Sequence, residues 1–209
     1  MKNFSTYINE KLKITKNMLN NQYEYVDLDL PSGTLWCDRN IGAKTETEYG
    51  DYFAWAETKP QNEYNWGSYK FGSKNNLKKY NDKDKLVNIE LTDDAARVNI
   101  GSNCSIPTKK QFTELIDNTT HKLVENYNNS GVDGMLFTAK NGNTLFLPAA
   151  GFINNTSNDD ISINGLYWAS NIDPNDSYNA YNLFFEDDNL YIMVGVRCYG
   201  LTVQGVLNK

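Results

Sequence analysis

Between Tyr25 and Val206 the apolar runs of this chain are short, aromatic, and repeatedly cut off by glycine or proline. They read YVDLDLPSGTLW (25–36), YGDYFAWAETKP (49–60), SIPTKKQFTELID (105–117), LFLPAAGF (145–152) and GLYWAS (165–170). Runs of this length, rich in β-formers and bounded by breakers, predict strands joined by turns more readily than long helices.

The period agrees with that reading. Val26, Leu28 and Leu30 alternate with Tyr25, Asp27 and Asp29, which suits a half-buried strand. Pro31-Ser32-Gly33 is a turn signal, and Thr34-Leu35-Trp36 opens a second strand. Segments 135–139 and 144–147 flank an Asn141-Gly142 hairpin turn. Further strands are expected near 166–170, 179–186 and 190–199. In the last, Leu190, Ile192, Val194, Val196 and Cys198 point one way, toward a core. Tyr191, Met193, Gly195, Arg197 and Tyr199 point the other way, as an aromatic and cationic stripe. Such a stripe serves either as a ligand platform or as packing beneath a loop.

Helical signals are few. Thr108 is a good N-cap for a helix running to about Asp117, with Phe112, Leu115 and Ile116 as its apolar stripe. Residues 93–96 fit a brief helix and 45–49 a helical turn. Stretches 60–85 and 153–164, rich in Asn with Lys or Ser, read as long loops. Residues 2–20 read as an amphipathic helix, with Phe4, Tyr7, Ile8, Leu12, Ile14, Met18 and Leu19 at helical spacing. The expected organisation is thus an N-terminal helix or tether over 1–22 and one domain over 23–209. The helix either packs on its own domain or docks the domain to a larger assembly through Phe4, Ile8, Leu12 and Leu19.

The net charge of −6 gives no basic footprint, so nucleic acid is not an expected partner. The first twenty residues lack an apolar h-region of secretory length, because Lys11, Lys13 and Lys16 interrupt it, and no apolar run approaches membrane-spanning length. Synthesis in a cytoplasm, without a signal peptide and without membrane insertion, is the expectation. The 14 tyrosines are the compositional outlier, and they accompany abundant Asn. Tyr and Asn are residues of adaptable binding surfaces, because Tyr offers contact area at low entropic cost. Cys37, Cys104 and Cys198 fit no zinc spacing, and buried free thiols are expected. The single histidine, His121, sits in a polar stretch with no nucleophile elbow nearby and is read as a solvated loop or helix-end residue.

The five signatures, in this order over about 23–207, resemble the Fibrobacter succinogenes major paralogous (FISUMP) domain family. The resemblance implies an α+β, C-type-lectin-like domain with small antiparallel sheets, one or two helices and long loops. It is related to formylglycine-generating enzymes and to retroelement variable proteins. The chain departs from the family at Cys104, where a tryptophan is usual, and over 200–206. The enzymatic branch binds copper through a cysteine pair near its C-terminus, whereas Cys198 stands alone there, so enzymatic chemistry is not expected. Members occur in phages of gut bacteria, which implies a phage-encoded, virion-associated chain.

The function expected is a non-enzymatic binding domain displayed on a virion or cell surface, with a host glycan or protein as ligand. Tyr178, Asn179, Tyr181, Tyr191, Met193, Arg197 and Tyr199 are the expected contacts. The alternative is a structural virion decoration docked on other virion proteins through residues 1–22. A homo-oligomer is compatible with either. No cofactor is expected. The clusters Asp173/Asn175/Asp176 and Glu186/Asp187/Asp188 are oxygen-rich enough for calcium, yet also read as turn chemistry.

Overall fold

A computed structural model describes residues 23–207. The expected helix over 2–20, with Phe4, Ile8, Leu12 and Leu19, lies outside the described residues. What is described is mostly β, which corrects the α+β, C-type-lectin-like expectation. Sixteen strands accompany only two α-helices, α1 (Ala95–Asn99) and α2 (Lys109–Asn118), and one 3-10 turn, Tyr127–Asn129. The physical reason is that polar stretches pair as well. Residues 119–124 form a strand, and both Asn-rich stretches expected as loops contain a hairpin.

Five strands make the central sheet: β14 (Asn189–Val196), β13 (Asn179–Glu186), β12 (Asn164–Ile172), β15 (Leu201–Thr202) and β3 (Tyr52–Phe53), in that spatial order. A second sheet orders β1 (Tyr25–Asp27), β2 (Leu35–Asn40), β16 (Gln204–Leu207) and β6 (Cys104–Ser105). A meander joins β7 (Thr119–Val124), β8 (Gly134–Ala139) and β9 (Thr144–Pro148), and the Asn141-Gly142 turn falls in its second hairpin as the sequence predicts. Two small hairpins remain, β4 (Gly72–Ser73) with β5 (Asn76–Leu77) and β10 (Phe152–Asn154) with β11 (Ser157–Asp159).

Period-two alternation gives the central sheet two buried faces. On β12, Tyr167 and Ala169 belong to one core cluster and Trp168 to the other. The first cluster gathers Trp36, Phe112, Leu115, Phe137, Leu183 and Phe185 under α2 and the meander. The second gathers Phe53, Trp55, Tyr64, Tyr69, Tyr80 and Trp168 under irregular segments. Each large apolar side chain buried this way contributes roughly 1.5–3 kcal/mol of transfer free energy.

The longer helix starts at its predicted cap, whereas the brief helix expected over 93–96 forms over Ala95–Asn99 instead. The Thr108 hydroxyl accepts from Gln111 N at 3.1 Å, and the Gln111 side chain accepts from Thr108 N at 2.8 Å, a reciprocal capping box worth about 1 kcal/mol. Asp94 caps α1 by accepting from Arg97 N at 3.0 Å and also accepts from Ile106 N. The 45–49 stretch forms one hydrogen-bonded turn, Glu48 N to Thr45 O at 3.3 Å, and no helix.

All three cysteines are free and buried. Cys37 and Cys104 come from strands flanking β16, where a Cβ on Gly205 would lie 2.5 Å from Ile100 Cδ1 and 3.0 Å from Cys37 Sγ. Strands two spacings apart sit roughly 9–10 Å from each other, beyond the Cα separation a disulfide tolerates. Hydrogen bonds from Cys37 and from Tyr25, whose hydroxyl is 3.0 Å away, pull the Cys104 thiol down to about 6.

Candidate functional site

The expected binding stripe divides in the structure. β14 ends at Val196, so the alternation that would carry Arg197 and Tyr199 to the same side as Tyr191 and Met193 stops there. Tyr191 and Met193 stay exposed on the edge strand, 54% and 42% accessible, with Tyr191 stacked on Phe184. Arg197 turns inward and is fully buried, which corrects its reading as a ligand contact. Its Nε donates to the Tyr69 hydroxyl at 2.7 Å, and its other nitrogens to the carbonyls of Tyr80 (2.8 Å), Ser177 (3.0 Å) and Lys79 (3.1 Å). The guanidinium also lies 5.0 Å from the Trp55 ring centroid and 5.1 Å from that of Tyr69. A planar, permanently charged fork with five donors suits such a nest of carbonyls and ring faces.

Arg197 thereby ties two distant segments, 79–80 and 177, to the end of β14. Its own N–H donates to Tyr178 O at 3.1 Å, and Trp55 N donates to Arg197 O at 2.8 Å. Asp93 anchors the same region from the other side. It accepts from Lys70 Nζ at 2.8 Å, from the Tyr80 hydroxyl at 2.9 Å and from Lys79 Nζ at 2.5 Å. Burial works to raise the Asp93 carboxyl, but the bonds from Lys70, Lys79 and Tyr80 outweigh it and hold the group below its ordinary range.

Above this framework opens a cleft of about 480 Å³. Three of the expected contacts, Tyr178, Asn179 and Tyr199, line it. They are joined by Trp66, Asn65, Lys74, Asn154, Asn155 and Asp176, none of which the strand pattern singles out. Asn65 organises its own loop, accepting from Gly67 N at 2.7 Å and Ser68 N at 3.2 Å while donating to Asn155 Oδ1 at 3.0 Å. Paired bonds between Tyr64 and Asn155 (2.8 and 2.9 Å) staple this loop to the β10–β11 hairpin. That hairpin is held in turn by the bridge from Ile153 to Gly200, whose missing Cβ would meet the Tyr64 ring at 2.9 Å.

The aromatic walls stand at angles to one another. Trp66 meets Tyr178 edge-on with centroids 6.2 Å apart, Tyr199 stacks on Phe152 at 5.7 Å, and Lys74 Nζ lies 5.7 Å from the Tyr178 centroid. Asp176 closes a turn, its two oxygens accepting from Tyr178 N and Asn179 Nδ2, each at 3.0 Å. Asp173 does likewise with Asn175 N at 3.0 Å. Asp188 accepts from Leu123 N at 2.9 Å at the β13–β14 tip. Burial pushes Cys198, a floor residue of the cleft, up to about 12, so it is a protonated thiol there. Tyr181 lies outside this cleft, in a separate depression, with Lys109 Nζ 3.9 Å from its ring centroid.

No family model matches the chain, and neither a curated protein nor a solved structure does.

His121 is not a loop or helix-end residue. It lies on β7 opposite Phe137, half-buried, with its ring 6.1 Å from that of Phe137. Among the described residues no three His, Cys, Asp or Glu side chains are grouped to hold a metal ion, and no helix is long and apolar enough to cross a membrane.

Proposed function

We propose that this chain is a non-enzymatic binding domain whose ligand is a surface glycan held in the Trp66–Tyr178–Tyr199 cleft. The observation that carries the reading is the composition of that wall: three aromatic rings interleaved with four asparagines, one lysine and one aspartate. A sugar ring offers C–H faces, which pack on aromatic faces, and hydroxyls, which need neutral groups that both donate and accept. Asn amides supply both functions from one side chain. A concave site with an apolar lining and a few fixed polar groups is the general form of a small-ligand site.

Binding rather than hydrolysis is favoured by the state of the polar groups. Glycosidic cleavage ordinarily uses two carboxyls flanking one bond. The one carboxylate in the cleft wall, Asp176, has both oxygens engaged in its own turn. Display on a virion is the setting we propose, on the strength of the family resemblance in the sequence.

The test sets two double variants against each other. Trp66→Ala with Tyr178→Ala should abolish retention on immobilised surface polysaccharide from gut bacteria; the unfolding midpoint should fall, because Trp66 packs on Tyr69, but unfolding should stay cooperative and the domain folded at the assay temperature. Tyr191→Ala with Met193→Ala should leave retention intact. The opposite pattern would move the site to the edge strand.

A further inference from the structure

The cleft is one end of a row. A depression of about 200 Å³ shares Lys74 and Tyr178 with it. A third, about 300 Å³, shares Asn81, Asp82 and Ser177 with the second. A fourth, about 670 Å³, shares Val87, Ile172 and Pro174 with the third and ends at Tyr181. Four hollows with common walls thus run continuously from Tyr199 to Tyr181. Both ends carry the same device, a tyrosine ring with a lysine ammonium over it: Lys74 on Tyr178 and Lys109 on Tyr181.

The charge of the row runs against that of the chain. Five lysines line it, at positions 74, 83, 85, 109 and 110, against three aspartates, at 82, 173 and 176, whereas the chain as a whole carries −6. None of the five lysines forms an ion pair among the described residues, while Lys70 and Lys79 behind the row are each paired with Asp93. Two of the three aspartates, and Asp84 beside the row, are occupied with backbone N–H groups. Unpaired cations over aromatic rings, repeated along a groove, match a polymer with regularly spaced anions and stackable rings.

Building on the glycan reading of the cleft, we infer that the ligand is a linear acidic polysaccharide. Its successive units occupy the row from Trp66 to Tyr181. Uronate-type units would place carboxylates on Lys74 and Lys109 and lie against the edges of the Tyr178 and Tyr181 rings that these ammonium groups cover. One extended ligand would thereby reach both Tyr178 and Tyr181, which lie in different hollows.

The full chain is tested against polymer pairs that differ only in charge: polygalacturonate and its methyl ester, and hyaluronan and its carboxyl-reduced form. Oligomers of two to eight units and poly-glutamate complete the panel. The expected result is at least tenfold tighter binding of an acidic member than of its neutral twin. Affinity should also rise at least tenfold from dimer to octamer and weaken with salt. Lys109→Glu with Lys110→Glu, which places acids in the first turn of α2 where the helix tolerates them, should remove the octamer's gain and leave dimer binding within about twofold. Trp66→Ala should remove both. Equal binding of neutral twins, or an octamer no tighter than the dimer, overturns the extended acidic ligand while the cleft reading stands. Poly-glutamate binding as tightly as the polyuronates overturns the polysaccharide class. Retention of no polysaccharide at all overturns this inference and the glycan reading together.

Discussion

The two faces of the central sheet are built by different means. One is covered by α2 and the β7–β8–β9 meander, and its contacts, such as Phe112, Leu115, Phe137, Leu183 and Phe185, are apolar. The other is covered by segments with little regular structure, and its centre is polar: Arg197, Asp93, Tyr69 and Tyr80, bonded to one another or to backbone carbonyls. The lesson is a division of labour. Apolar packing of regular elements supplies stability without dictating the shape of any loop. The buried hydrogen-bond network fixes 69–80, 177–179 and 196–199 in one arrangement, and the cleft and its row of hollows rest on that arrangement.

The comparison breaks first at the two hubs. Arg197→Met should cost about 3–9 kcal/mol, because three carbonyls lose their donor at roughly 1–3 kcal/mol each. Phe112→Ala should cost a similar amount, about 3–5 kcal/mol, through a cavity under α2. What separates the two is location. The near-ultraviolet circular dichroism of the aromatic cluster around Trp55 and Trp66 should collapse in Arg197→Met and persist in Phe112→Ala at denaturant concentrations where both are still folded. Equal loss in both variants would mean that the two faces are one cooperative unit with no separate polar hub.

A smaller effect sharpens the same contrast. The folded Asp93 carboxyl is held below its unfolded value of about 3.9, so its contribution is complete above that pH and is lost as pH falls through the lower folded value. Urea midpoints taken between pH 6 and pH 3 should therefore fall less steeply for Asp93→Asn than for the unsubstituted chain. Parallel slopes would remove Asp93 from the framework.

Much of the regular half was legible. The Asn141-Gly142 turn and the Thr108 cap depend on neighbours in sequence and appear where the pattern places them, while the alternation of burial runs through Tyr25–Leu30 although the strand itself ends at Asp27. The polar strand around His121 was not legible, because it pairs with β8 for the sake of the meander and not for its own apolar content. The site was half-legible. Tyr178 and Asn179 follow from the Tyr and Asn content and Tyr199 came from a strand period that stops short of it, but Trp66, Asn65, Asn154 and Asn155 reach the cleft through long-range bonds such as Tyr64 to Asn155 and Ile153 to Gly200. Their one sequence signal was the Asn enrichment of the two stretches read as loops. Arg197 misled because strand periodicity was extended three residues past the point where β14 ends.

Hydrogen–deuterium exchange of the full chain, with and without a polysaccharide it retains, tests the central claim most directly. The account predicts added protection in 64–68, 74–83, 153–156 and 174–179, with none on β7, β8 or β9. Protection confined to the exposed edge of β14 or to the meander would contradict it.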